Sequence, residues 1–155
     1  MNPGISANPM MSDFSISLAS WANDGAALRA IRECVYIKEQ HVPVELEWDG
    51  LDQDATHWLV TDKKDKPVAT ARLLANGHVG RMAVLAEYRG QGIGRLLIEA
   101  ILATSQQRSL STLFLNAQTS ATGFYEKFGF IAEGDIFDDA GIPHRRMRLN
   151  LHDEH

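Results

Sequence analysis

A glycine-rich segment near the middle of the chain has the residue types of an anion-binding loop. It follows an apolar stretch that reads as a strand, and it opens a predicted amphipathic helix. Glycine lets the backbone turn tightly and lets its N–H groups approach a ligand without an intervening side chain. A helix start adds unpaired N–H donors and a partial positive charge, and an arginine adds a cation suited to phosphate. The segment reads Arg89-Gly90-Gln91-Gly92-Ile93-Gly94.

Two other classes of glycine loop fit this segment poorly. A Walker loop needs Gly-Lys followed by Ser or Thr, whereas Arg95 and Leu96 follow Gly94 here. A dinucleotide loop has the spacing G-x-G-x-x-G and an acid about 20 residues later. Here the spacing is G-x-G-x-G, and residues 111–118 contain no acid. The remaining alternative is a glycine-rich turn that binds no ligand. The close spacing of the glycines and the adjacent arginine make this alternative less favoured.

A second segment, residues 124–130, places a phenol among aromatic residues. It reads Phe-Tyr-Glu-Lys-Phe-Gly-Phe. From spacing alone Tyr125 is predicted to be a core aromatic residue, because phenylalanines flank it. A positioned tyrosine can also act as a general acid. The segment by itself leaves both interpretations open.

Composition and charge predict one small folded domain. The chain has 155 residues, 45% of them hydrophobic, and a formal net charge of -5. This length is enough for a single core. The acidic balance argues against a nucleic-acid partner, which usually needs a basic patch. A membrane-spanning helix needs about 20 consecutive apolar residues, and no apolar run in the chain approaches that length. The first dozen residues do not resemble a secretory signal. We therefore expect a cytoplasmic protein without a membrane partner.

The domain is expected to occupy residues 13–152. Residues 1–12 are rich in Asn, Pro, Gly and Ser and are predicted to be a disordered leader. Two later methionines are alternative starts to Met1, namely Met10 and Met11.

The single cysteine, Cys34, is predicted to be a buried structural residue. Leu28, Ile31 and Val35 lie at helical spacing around it, which favours a place on the apolar face of a helix. The six histidines are scattered and no H-E-x-x-H motif or cysteine pair occurs. No metal site is therefore predicted.

Apolar periodicity predicts strands and helices arranged around one sheet. A first strand carries Phe14, Ile16 and Leu18, and a helix capped by Asn23 or Asp24 runs to about residue 40. Residues 41–56 are predicted to be a loop with a short helix. Further strands are predicted at 57–61, 68–74, 78–84, 112–117, 130–137 and 144–151, and further helices at 92–107 and 121–128.

Together these features resemble the GNAT family of N-acetyltransferases. Residues 89–94 resemble its pyrophosphate motif, Q/R-x-x-G-x-G/A, and residues 124–130 resemble its F-Y-x-x-x-G-F signature. Residues 79–84 lie where the family's fourth strand precedes the motif. Glu39-Gln40, the acidic segment to Asp52 and residues 141–144 resemble the small ElaA-like branch. The resemblance implies an α/β (mixed α+β) fold with a central, mostly antiparallel sheet of six to seven strands flanked by helices.

The resemblance also implies the cofactor site. In the family the pantetheine arm of acetyl-CoA lies between the splayed fourth and fifth strands. The arm and the acetyl carbonyl would contact the backbone of the fourth strand, the pyrophosphate would contact the loop N–H groups, and one side-chain amide would contact the arm. Tyr125 would be the general acid, and no metal would take part. The implied cofactor residues are Met82, Ala83, Val84, Arg89, Gly90, Gln91, Gly92, Ile93, Gly94 and Gln118, with Asn116 as the alternative amide.

The residue that removes a proton from the amine has several candidates. A carboxylate or a histidine could do so directly or through one water. Glu39 and His144 are the predicted base or acceptor-pocket residues. The acidic segment 45–52 either attracts a cationic amine or is a solvated loop. His57 is predicted to be structural. The other carboxylate candidates are Glu47, Asp49 and Asp52.

These features predict transfer of an acetyl group from acetyl-CoA to a primary amine of a small molecule or peptide. The amine would attack directly and form a tetrahedral intermediate. A non-catalytic acyl-CoA-binding sensor is the alternative, and a nucleotide-binding protein with another chemistry is a third. The family resemblance is compatible with a homodimer.

Overall fold

A computed structural model describes residues 13–151 of the chain. The predicted leader, residues 1–12, lies outside the described part. The described elements in chain order are β1 (Phe14–Ala19), α1 (Trp21–Arg32), a π-helical segment (Glu33–Glu39), α2 (Val44–Glu47), β2 (Thr56–Asp62), β3 (Pro67–Leu73), β4 (Val79–Val84), a 3₁₀ turn (Ala86–Tyr88), α3 (Ile93–Gln107), β5 (Thr112–Gln118), a second 3₁₀ turn (Thr119–Ala121), α4 (Thr122–Glu126), β6 (Ile131–Asp139) and β7 (Ile142–Asn150).

The strands form two antiparallel sheets that meet at one point. The first sheet has the order β1-β2-β3-β4 and the second has the order β5-β7-β6. One parallel bridge joins His78 to Phe114, and the Phe114 N–H donates to the Gly77 carbonyl at 3.0 Å. Beyond this bridge, no pairing joins β4 to β5 within residues 13–151, so the two strands diverge. The predicted mixed α/β fold is confirmed, and its sheet is divided at the predicted splay.

The hydrophobic core lies between helix α3 and the sheets. Ile93, Leu97, Ile98 and Ile101 from α3 are fully or almost fully buried. They belong to one cluster with side chains from β2, β3, β5 and β7. Burying one such side chain stabilises the fold by about 1.5–3 kcal/mol. The core therefore fixes the start of α3, where the glycine loop ends.

Helix α1 begins earlier than the sequence predicts. The predicted caps, Asn23 and Asp24, are wrong, because Ser20 is the cap residue. The Asn23 N–H donates to Ser20 Oγ at 3.3 Å, and the Ser20 N–H donates to Asp24 Oδ2 at 2.8 Å. This reciprocal arrangement resembles a capping box, which satisfies two donors at the helix start.

The end of the predicted helix is π-helical from Glu33 to Glu39. Val35 is buried there, but Cys34 is exposed, so the prediction of a buried cysteine is wrong. A π-helix bonds residue i to i+5 and has a wider turn than an α-helix. The regular helical spacing used for the prediction therefore does not hold across this segment.

Three acids of residues 41–56 form an ion network with three arginines from other elements. The Arg32 Nε lies 2.7 Å from Glu47 Oε2, and the Arg32 Nη1 lies 2.6 Å from Asp52 Oδ1. Glu47 and Asp52 are only 2% and 4% exposed. The solvated-loop interpretation is therefore wrong for these two acids. The network ties the loop to α1, β3 and β4, and its members are Arg32, Arg72, Arg81, Glu47, Asp49 and Asp52.

The network should make stability depend on pH through Asp49. Burial opposes ionisation of this carboxyl, but hydrogen bonds from Arg72 lower the pKa of Asp49 from 3.8 to about 2. A lowered pKa contributes stability that is present above the unfolded pKa and is lost as the pH falls toward the folded pKa. We expect Asp49→Asn to cost about 1 kcal/mol near neutral pH, after solvent screening of this partly exposed group. Urea unfolding of both proteins should show the difference shrinking between about pH 4 and about pH 2. A difference that stays constant over this range would contradict the assignment.

The joint between the sheets should be sensitive to substitution of Gly77. Its φ is +95°, and an added Cβ would lie 2.4 Å from the Thr112 backbone carbonyl oxygen. We expect Gly77→Ala to lower the free energy of unfolding by about 3 kcal/mol, measured by urea unfolding, because backbone strain and a clash with main chain add together. Gly50→Ala is the matched control, since Gly50 has φ +80° and open space around it. Equal losses in the two variants would show that the close approach to Thr112 is unimportant.

Candidate functional site

A cleft of about 520 Å³ opens where β4 and β5 diverge. Its volume lies within the range of about 300–1,000 Å³ typical of small-molecule sites. The cleft brings together eight of the predicted site residues, namely Met82, Ala83, Val84, Arg89, Asn116, Gln118, Tyr125 and His144.

Strand β4 carries a bulge on the wall of the cleft. Gly80 pairs with Arg72 and Ala83 pairs with Thr70, so Arg81 and Met82 together face one residue of β3. Arg81 has φ 47°, a left-handed conformation that is uncommon for a residue with a side chain. A bulge takes backbone groups out of the regular ladder and redirects them. Peptide groups around Met82 are therefore free of the strand pairing that a regular β4 would impose.

Tyr36 also lines the cleft, although no sequence pattern predicts it as a site residue. Its hydroxyl donates to the Met82 carbonyl at 2.6 Å and so holds the bulge. Burial, followed by the nearby Glu47 carboxylate, raises the pKa of Tyr36 well above its ordinary value. The phenol therefore stays protonated and can keep donating. No sequence signal singles it out, because its position depends on the π-helical segment.

Tyr125 lies in the cleft with its ring packed among other aromatic side chains. The ring centroids of Phe124 and Phe130 are 5.0 Å and 6.0 Å away. Its hydroxyl points to the Met82 sulfur at 3.8 Å. Burial raises the pKa of Tyr125 to about 12. The ring is therefore packed in an aromatic cluster, while the residue also lines the cleft, and the general-acid role stays a prediction.

The glycine loop turns into α3 beside the cleft. Gly90 and Gly92 have φ values of +77° and +85°, which glycine adopts without strain. A Cβ on Gly90 would meet nothing within 4 Å, so the backbone here is open. Gly94 is different, since its added Cβ would lie 3.3 Å from the Phe124 ring. Ile93 is buried in the core and offers only its backbone to a ligand. Gln91 turns its side-chain amide back to the Glu87 carbonyl at 3.4 Å.

The side chain of Arg89, the first residue of the glycine loop, is held by a carboxylate. Its two terminal nitrogens donate to the two oxygens of Glu39 at 2.6 and 2.7 Å, and its Nε donates to the Val84 carbonyl at 2.9 Å. The hydrogen bond from Arg89 lowers the pKa of Glu39 below its ordinary value. Glu39, predicted as a base, therefore bridges the π-helical segment to the loop.

His144 faces the cleft from β7 with a defined tautomer. Its Nδ1 lies 2.8 Å from the Ile142 carbonyl oxygen, which can only accept. The neutral ring therefore carries its proton on Nδ1 and leaves a lone pair on Nε2. The ring stacks on Phe137 with the centroids 6.0 Å apart. This geometry leaves Nε2 able to accept a proton.

The remaining predicted candidates have structural contacts. His57 is 1% exposed, stacks on Trp21 with the centroids 5.3 Å apart, and bonds through Nε2 to the Asp52 carbonyl at 2.9 Å. Burial lowers the pKa of His57. Gln118 donates to the Gln40 side chain at 3.3 Å at the edge of the cleft. Across residues 13–151, no three His, Cys, Asp or Glu side chains are grouped as metal ligands.

The divided sheet and the loop beside its cleft agree with the comparison to known families. Residues 26–151 match the family described as acetyltransferase (GNAT) domain. The chain belongs to the GNAT acetyltransferase family. Like its GNAT relatives, it is an acyltransferase, and acyl-CoA N-acyltransferases of this fold use acyl-CoA.

Relatives in this family include several bacterial proteins. The chain is 38% identical over 121 residues to the uncharacterized N-acetyltransferase YjcF of Bacillus subtilis, covering 76% of this chain and 86% of that one. It is 32% identical over 129 residues to the protein ElaA of Escherichia coli, covering 78% and 84%. These similarities support the ElaA-like branch of the GNAT family.

Solved GNAT structures share the described fold. The crystal structure of Escherichia coli ElaA superposes with a TM-score of 0.78 at 28% identity, covering 87% of this chain and 98% of that one. An acyl-CoA N-acyltransferase of Pseudomonas aeruginosa gives a TM-score of 0.78 at 29% identity, with the same coverage. Within residues 13–151, no helix of this GNAT protein is both long and apolar enough to cross a membrane.

Proposed function

We propose that this protein transfers an acetyl group from acetyl-CoA to a primary amine by direct attack through a tetrahedral intermediate. The observation that carries the proposal is the cleft between β4 and β5, which contains the Tyr125 hydroxyl and the His144 ring and lies beside the glycine loop. The acceptor is a small molecule or a peptide amine, and the protein is expected to act in the cytoplasm. A homodimer is compatible with the proposal.

The chain offers separate groups to the separate parts of the cofactor. Open backbone at Gly90 and the left-handed Gly92 at the start of α3 fit a pyrophosphate, because N–H donors and the helix dipole favour anions. The bulged backbone of β4 at Met82 fits the pantetheine amides and the acetyl carbonyl. An N–H directed at that carbonyl would also stabilise the oxyanion of the intermediate. The amides of Asn116 and Gln118 line the opposite wall of the cleft.

His144 is proposed to be the base and Tyr125 the acid. His144 Nε2 takes a proton from the incoming ammonium, and the freed amine attacks the thioester carbonyl. The new N–C bond forms, the C–S bond breaks, and the nitrogen releases its second proton to solvent. The Tyr125 phenol, which is protonated because burial raises its pKa to about 12, donates a proton to the leaving sulfur. Solvent restores both groups, and the products are the amide, CoA thiol and one proton.

Glu39 is proposed to position the glycine loop rather than to act as the base. A carboxylate that accepts two hydrogen bonds from Arg89 and has a lowered pKa is a weak proton acceptor. The same ion pair keeps Arg89 close to the site of the cofactor phosphates. Arg89 is proposed to contact phosphate when acetyl-CoA is bound.

Thermal unfolding with acetyl-CoA, free CoA and ATP tests the cofactor assignment. A ligand at a hundred times its dissociation constant should raise the midpoint of a protein this size by about 5–10 °C. We expect this rise with both CoA forms and little with ATP. Release of CoA thiol across a panel of primary amines then tests the transfer reaction. No rise with acetyl-CoA would overturn the proposal, and a rise without thiol release from any amine would favour a non-catalytic acyl-CoA sensor.

A further inference from the structure

A second cavity adjoins the cleft, and no residue of the glycine loop lines it. This side cavity has a volume of about 190 Å³, somewhat larger than a cavity of about 150 Å³ that holds benzene. Tyr36, Gln40, Asn116, Gln118 and His144 line both spaces. A ligand in the side cavity can therefore present one end to His144 and the thioester. Its size suits a small molecule rather than a bulky group.

The wall of the side cavity carries a buried carboxylate, and the arginines around it contact only one of its two oxygens. Glu47 is 2% exposed and lines the cavity. Arg32 donates to its Oε2 at 2.7 Å, and the Arg81 Nε lies 3.3 Å from that same oxygen. No hydrogen bond to Oε1 comes from residues 13–151. A buried carboxylate oxygen gains most from a charged donor, because charge-assisted hydrogen bonds are stronger at low polarity.

The charged lining groups of the side cavity that are still open to a ligand favour a cation over an anion. Arg81 also lines the cavity, but its Nη2 already donates to the Leu46 and Glu47 carbonyls and to Asp49 Oδ2, at 3.0–3.2 Å. The hairpin of β6 and β7 contributes Asp139 to the cavity lining. No lysine or arginine of this hairpin lines the cavity. Burial lowers the pKa of His78, which favours its neutral form. Arg32 and Arg81 both lie against Glu47 Oε2, so the charges of the ion network are balanced, and the charged lining groups of residues 13–151 left open to a ligand are Glu47 Oε1 and Asp139.

We infer that the acetyl acceptor is a small diamine whose second, unreacting ammonium group binds Glu47 Oε1 near Asp139. This inference rests on the proposed function and narrows its substrate class. One nitrogen loses its proton at His144 and attacks the thioester, as described above. The other nitrogen keeps its charge and fixes the acceptor in the side cavity. An amino acid bound through Arg81 by its carboxylate is the competing class.

Three four-carbon amines that differ only at the far end test the acceptor class. They are butane-1,4-diamine, butylamine and 4-aminobutanoate, assayed by release of CoA thiol at saturating acetyl-CoA. We expect kcat/KM for the diamine to exceed that for butylamine by about tenfold or more. A hydrogen bond between charged groups strengthens binding by about this factor. The difference should lie mainly in KM. Equal values for diamine and butylamine, or a preference for 4-aminobutanoate, would overturn the inference.

Glu47→Gln should bring the diamine-to-butylamine ratio of kcat/KM close to one. Because this change also disturbs the pair with Arg32, the thermal midpoint of the variant is measured alongside. Asp139→Asn, on the exposed hairpin, provides a second variant that leaves the ion network intact and should lower the ratio by about threefold. Glu45→Gln, an exposed acid on α2 that does not line the cavity, is the matched control and should keep the wild-type ratio. A wild-type ratio in both Glu47→Gln and Asp139→Asn overturns the inference.

Failure of this inference can be distinguished from failure of the proposed function. Thiol release with another primary amine but not with the diamine overturns the diamine class alone. Absence of thiol release with every amine overturns both. The thermal midpoint with acetyl-CoA then shows whether the protein binds the cofactor without transferring its acetyl group.

Discussion

Replacing Gly92 by valine is expected to weaken acetyl-CoA binding by about a hundredfold or more. Gly92 precedes the first residue of α3 and has φ +85°. A β-branched residue is a genuine outlier in this region, so the loop must change its conformation. Loss of two backbone hydrogen bonds to a charged phosphate, at about 1.5–3 kcal/mol each, gives this magnitude. Isothermal titration of wild type and variant with acetyl-CoA measures it.

Gly134→Val separates the effect on the site from the effect of backbone strain. Gly134 has φ +77° and nothing within 4 Å of an added Cβ, and it lies on β6 outside the cleft lining. The same strain should lower stability in both variants, while acetyl-CoA affinity should fall only for Gly92→Val. Wild-type affinity in Gly92→Val would show that the pyrophosphate does not bind at this loop.

The parts of the fold that could be predicted are those encoded by local patterns. The helical face of α3 and the alternation in β1 depend on residues close together in sequence. The fourth strand, glycine loop and aromatic signature also lie in a fixed order, so the GNAT fold and the cleft followed from the resemblance. Element bounds differ by one or two residues at most ends. Caps are less certain, because Ser20 competes with two other good cap residues within the next four positions.

The parts that could not be predicted depend on contacts between distant segments. Tyr36 reaches Met82 across 46 positions, and the pairs of Arg32 with Glu47 and Asp52 span 15 and 20 positions. A run of acids looks the same in sequence whether arginines from other elements cover it or water does. Periodicity also assumes a regular helix, which the π-helical segment is not. The ion pair of Glu39 could not be predicted for the same reason, since its partner Arg89 is 50 positions away.

Conversion of Tyr125 to phenylalanine is expected to lower kcat by about a hundredfold or more, because a positioned general acid contributes about that much. The ring remains and keeps its packing against Phe124 and Phe130 at 5.0 and 6.0 Å. Acetyl-CoA affinity should therefore stay within about threefold of wild type, because only a hydroxyl that faces the reacting sulfur is lost. Steady-state release of CoA thiol and isothermal titration measure the two quantities separately.

Tyr88→Phe is the matched control for removal of a phenol hydroxyl. Tyr88 bonds Asp62 at 3.1 Å and does not line the cleft. We expect its kcat to equal that of wild type, so that a loss confined to Tyr125→Phe reports on the cleft. A lowered kcat with unchanged affinity places the Tyr125 hydroxyl in the transition state rather than in cofactor binding. An unchanged kcat in Tyr125→Phe would instead leave the aromatic cluster as the whole role of this residue, and protonation of the sulfur would have to come from solvent or from another group in the cleft.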